Sequence, residues 1–125
     1  MTGWDPASTE LLSLMPRTAR GPRRDGVFAL WLIVRAALDL LLEPPLSERV
    51  HRKRITALEA RLSSLSLPAP LRRALTAALL HLRDARPETA APVLAHLVAP
   101  ARETVGAEVS EALALAARAA RPGGR

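Results

Sequence analysis

Apolar positions recur along this chain at spacings of three and four, and prolines cut the pattern into short segments. The densest segment is residues 26–43, GVFALWLIVRAALDLLLE, where only Arg35 and Asp39 are polar between Val27 and Leu42. With Glu43 they stand four apart each time, so on a helix they form one narrow stripe. The rest of that cylinder is apolar and must be covered by its own domain, a partner or lipid.

The remaining segments read as amphipathic helices. Asp5 caps a short one with Pro6 at its first position, ending before Pro16 and burying Leu11, Leu12 and Leu14 or Met15. The stretch PRTARGPRRDG that follows has the composition of a loop. After the 26–43 segment, whose helix is expected from about Asp25 and stops at Pro44-Pro45, Ser47 is the expected N-cap of a helix to about Ser64 or Leu65. Its stripe is Ile55, Leu58, Leu62 and Leu65. A helix over 71–85 presents Leu71, Leu75, Ala78, Leu79 and Leu82 and ends at Pro87. Thr89 then caps a short helix with Val93, Leu94, Leu97 and Val98 inward. Pro100 is expected to open the last helix, 100–121, with Val105, Val109, Ala112, Leu113, Ala116 and Ala120 inward and Gly106 splitting or kinking it.

No segment alternates apolar and polar residues as a strand does. The fold class expected is all-α: a compact bundle of five to six short helices joined by Pro-rich loops. Residues 1–26 form a short helix and a basic docking arm, 27–121 the helical domain, and 122–125 a frayed tail. No tetratricopeptide-like period repeats.

Composition sharpens this picture. At 125 residues and 49% hydrophobic, the chain is of single-domain size and globular character. Net charge is +6, and Lys53 is the sole lysine among 18 basic residues. A positive balance permits a nucleic acid, an anionic membrane face or an acidic partner. With no cysteine, disulfides and thiolate chemistry are excluded. The N-terminal residues do not read as a signal peptide, because acids stand there and no basic cap precedes an apolar run. The 16 residues from Val27 to Leu42 fall short of the roughly 20 that a spanning helix needs.

Catalytic patterns are missing from the sequence. The three histidines, His51, His81 and His96, have no helical His–Glu spacing of a zinc protease and no Glu-x-x-His of a di-iron bundle. His81 and His96 can meet across a helical hairpin, but two imidazoles make a poor metal site. Glu108 and Glu111, three apart, read as solvated acids of an amphipathic helix. No Gly-x-Ser-x-Gly elbow or phosphate loop occurs. The expectation is a non-enzymatic chain with no cofactor, no metal and no small-molecule substrate.

Two basic clusters remain. Arg17, Arg20, Arg23 and Arg24 precede the apolar helix, and Arg49, Arg52, Lys53 and Arg54 open the next one. All three aromatics, Trp4, Phe28 and Trp31, flank the first cluster. Trp with Arg suits a membrane–water boundary or an acidic protein surface, and Arg35, four residues past Trp31, can lie over the indole. A competing reading makes Phe28, Trp31, Leu38, Leu41 and Leu42 the core of a central helix. The expected function is a structural or adaptor subunit of a larger assembly. It would sit as a cytoplasmic peripheral protein on a membrane-embedded complex such as a respiratory or photosynthetic one. Trp4, Arg17, Arg20, Arg23, Arg24, Phe28 and Trp31 would touch protein subunits or the anionic surface. The alternative is a small basic nucleic-acid-binding protein using Arg49, Arg52, Lys53 and Arg54 with Arg72 and Arg73.

Overall fold

The computed structural model describes residues 22–42 and 44–120. Within them the chain is all-helical: α1 Pro22–Asp39, α2 Glu48–Ser63, α3 Ala69–Leu82, a 3-10 turn Pro87–Thr89, α4 Ala90–Thr104 and α5 Ala107–Ala119. The helix expected ahead of Pro16, Trp4, Arg17 and Arg20, and the tail lie outside the described residues.

Helix α1 is the hub, packing on α4, α3, α2 and α5. Val27, Ala29, Leu30, Ile33, Val34 and Ala37 are wholly inaccessible. Burying a Val, Leu or Ile side chain completely contributes about 1.5–3 kcal/mol, so this helix anchors the core. The rings lie elsewhere. Phe28, Trp31, Leu38 and Leu41 are half-buried against the core and Leu42 is 37% exposed, so the competing reading that makes these residues core holds only in part. The helix also begins a turn early, at Pro22 rather than Asp25, which places Arg23 and Arg24 in its first turn and not in a loop. At its far end Leu40 and Leu41 donate three residues back, to Ala37 O (3.1 Å) and Leu38 O (3.0 Å).

Close approach explains Gly26. A Cβ there would stand 3.0 Å from Val105 Cγ2 and 3.3 Å from Leu71 Cδ2. α1 therefore crosses the start of α3 and the end of α4 at a point where a side chain has no room. Beside it, the buried Asp25 accepts a 2.8 Å bond from Ser66 N, tying α1 to the α2–α3 connection.

Helices α2 and α3 follow their expected stripes. Ser47 caps α2 by accepting from Val50 N at 3.2 Å. Ile55, Leu58, Leu62 and Leu65 are buried, and the stripe extends back to His51. His51 Nε2 lies 2.6 Å from Leu82 O; a carbonyl only accepts, so this nitrogen carries the proton. The bond satisfies a carbonyl at the C-terminus of α3. Leu71, Leu75, Ala78, Leu79 and Leu82 are buried on α3, which ends three residues before the expected Ala85.

Two punctuation signals act differently from expectation. Pro100 does not open a helix; it sits inside α4, and the chain breaks at Val105 and Gly106 instead. An internal proline costs about 3 kcal/mol in helix propensity. The apolar stripe outweighs it, because Ala90, Val93, Leu94, Leu97, Ala101 and Val105 stay buried only if the helix continues. Gly106 then makes the turn at φ 139, a conformation side chains disfavour. Val105 N and Gly106 N both donate to Ala101 O, at 2.8 and 3.0 Å. Thr89 does occupy the N-cap of α4, but its side chain makes no capping bond. The 3-10 turn before it supplies the entry, with Thr89 N on Arg86 O at 3.0 Å.

Candidate interaction surface

The outer side of α1 meets α2 in a seam built from aromatics and guanidiniums. Phe28 and Trp31, three residues apart, stack with centroids 5.9 Å apart at 26°. The Arg35 guanidinium lies 5.4 Å from the Trp31 centroid, as its spacing of four predicts. Arg61, near the end of α2, lies 5.4 Å from the Phe28 centroid. Each ring thus carries a cation, one from its own helix and one from its neighbour, at about 0.5–1 kcal/mol for an exposed pair. The Trp31 Nε1 hydrogen is buried and has no acceptor among the described residues.

Between the two helices the surface opens into a groove of about 300 Å³. Its floor is Leu32, Ala36, Ala57 and Leu58; its rim is Arg35, Arg54, Arg61 and Asp39. Arg54 reaches Asp39 at 2.8 Å, with side-chain exposures of 53% and 21%. Among the described lining residues Asp39 is the carboxylate, and Arg54 already engages it.

The other basic residues do not gather on one face. Arg23, expected in a free arm, donates to Val105 O and rests against Gly106, capping the end of α4 with a cation. Arg24 is half-buried, and its Nε has no partner among the described residues. In the second cluster, His51 is core, Arg54 turns to α1, and Arg52 pairs with Glu48 at 3.5 Å. Arg72 donates to Leu65 O at 2.5 Å. Arg49, Lys53 and Arg73 are exposed. Surface pairs such as Arg83–Glu59 at 2.7 Å contribute about 0–1 kcal/mol. Arg86 is held above its ordinary value by its hydrogen bond to Asp84 and by that carboxylate's charge.

His81 and His96 share a second, mostly apolar groove of about 380 Å³ between α3 and α4, above Ala74, Ala77 and Ala78. His96 Nδ1 donates to Pro92 O at 2.7 Å, leaving Nε2 as the free nitrogen. Among the described residues no three of His, Cys, Asp and Glu come together as metal ligands would. No described helix is long and apolar enough to cross a membrane.

Sequence reasoning found Phe28, Trp31 and Arg35, assigned Arg54 to the alternative basic face instead of to Asp39, and missed Arg61. Periodicity within one helix reveals its own stripes, and nothing in α2 announces which residue of α1 it will face. No protein-family model, curated protein or solved structure matches this chain.

Proposed function

We propose that this chain is a non-catalytic docking subunit that joins a larger assembly through the outer side of α1 and its seam with α2. The observation that carries this reading is the stacked Phe28–Trp31 pair with Arg35 and Arg61 over its rings. Two large rings are left half-buried on α1 while smaller Val, Ile, Leu and Ala side chains fill the core. Aromatic and Arg side chains held in place this way are the residues that dominate protein interfaces. The host we favour is a membrane-embedded complex, with this chain peripheral on its cytoplasmic side.

Native membranes carrying the full chain test this directly. The variant with Phe28→Ala and Trp31→Ala is expected to leave the membrane fraction while keeping its helical circular dichroism. Loss of the helical signal would identify the rings as core, and retention in the membrane fraction would move the contact elsewhere.

Exposed Arg49, Lys53 and Arg73 support a second reading as a nucleic-acid-associated protein. Its signature is binding to mixed-sequence DNA or RNA that falls steeply with salt. The diversion of Arg54 to Asp39 and Arg72 to Leu65 O weighs against it, since both leave the basic face.

A further inference from the structure

We infer that the α1–α2 groove takes a carboxylate-bearing segment of a protein partner: an Asp or Glu beside an apolar side chain. This rests on the docking reading above and names the partner's chemistry. The rim supplies charge complementarity at Arg61, because Arg54 already holds Asp39, the carboxylate among the described lining residues. Arg61 has no ion pair among the described residues; its guanidinium lies over Phe28. A guanidinium stacked on a ring keeps its in-plane N–H donors for a carboxylate, and its side chain is already ordered.

The floor supplies the second half. Leu32, Ala36, Ala57 and Leu58 form a shallow apolar bed of a size for one or two side chains of a partner. Concavity argues for protein over lipid. A bilayer surface is engaged by protruding aromatics, whereas Trp31 here is half-buried in the wall of the groove. A partner side chain can enter between two helices; a sheet of headgroups meets only the rim. The carboxylate binds Arg61 at the edge while its apolar neighbour covers Leu32 and Leu58.

Selection of a random-sequence displayed peptide library on the immobilised full chain tests this. Enriched peptides are expected to carry Asp or Glu next to Leu, Ile, Val or Phe. Their affinity should fall about tenfold or more on Arg61→Ala, the loss of one charge-assisted pair. Ala57→Leu, at an exposed helical site, should fill the floor and abolish binding without unfolding the chain. The inference is overturned by any of four results: peptides without a carboxylate, indifference to both substitutions, no enrichment, or binding only to mixed phosphatidylcholine–phosphatidylglycerol vesicles. Co-sedimentation with native membranes separates the two levels. If Phe28 and Trp31 are needed there but Arg61 is not, docking stands and the carboxylate partner falls.

Discussion

Helices α4 and α5 touch each other along most of their length, and the residues between them are small: Ala101, Ala112, Ala116 and Ala117, with Leu94, Val109 and Leu113. Helices α1 and α2 meet much less extensively, and their outer edge carries Arg54–Asp39 and the ring of Phe28 under Arg61. The first pairing has a packed interior side and, at its surface, a shallow apolar groove lined by Ala91, Ala95, Val98, Ala114 and Ala117. Alanine lets the backbones approach, no charge is buried, and Ser110, the buried hydroxyl there, bonds to Ala107 O at 2.8 Å. The second pairing has an interior side, Ile55, Leu58 and Leu62, and an exterior side left open. The packed core is carried by α1 and the α4–α5 pair, whereas the proposed docking reading uses the exterior side of the α1–α2 pairing.

That contrast can be broken or sharpened by substitution. Leu113→Ala, in a site with 0% exposure, should lower unfolding free energy by about 2–5 kcal/mol in chemical denaturation. A loss under about 1 kcal/mol would show that the α4–α5 interior is not what holds the fold. Gly106→Ala should cost about 1–3 kcal/mol, because φ 139 strains any side chain and a Cβ would meet Arg23 Nη1 at 3.2 Å. Thermal unfolding reads this, and no change would remove the α4–α5 turn as a constraint.

Pro100→Ala should act in the opposite direction, stabilising by about 1 kcal/mol. Restoring the helical N–H and relieving the ring outweighs the more flexible unfolded chain. A proline at the first position of a helix would show no such gain, so the sign of the change distinguishes an uninterrupted α4 from a helix opened at Pro100. Arg61→Ala should move stability least, by about 0.5–1 kcal/mol, since it loses one exposed cation–ring contact. A loss several times larger would place Arg61 in the scaffold and erase the distinction between the two regions.

The stripes of α2 and α3 were legible because each needs only the 3.6-residue period and a proline or serine at its start. Ser47, Ile55, Leu58 and Leu62 stand where spacing placed them. Arg35 over Trp31 was legible for the same reason: both belong to one helix, four residues apart. Pro100 was misread, and the reading of the two rings as core, which competed with the contact reading, holds only in part, for a shared reason. A local rule says that proline starts a helix and that large rings are core. Burial of Ala101 and Val105 decided the first case, and the smaller Val27, Leu30, Ile33 and Val34 took the core in the second.

Sequence alone therefore determined what depends on neighbours along the chain: helical class, the bounds of α2, which face of each amphipathic helix turns inward, and the absence of cysteine chemistry. Tertiary structure decided what depends on partners remote in sequence. It diverted Arg23 to cap α4, carried His51 inward to Leu82 O, and brought Arg61 over Phe28. The physical reason is range. Helix propensity and periodicity are summed over a few residues, whereas the use of a guanidinium or an imidazole is settled by whichever carbonyl or ring the packing of another helix puts within reach.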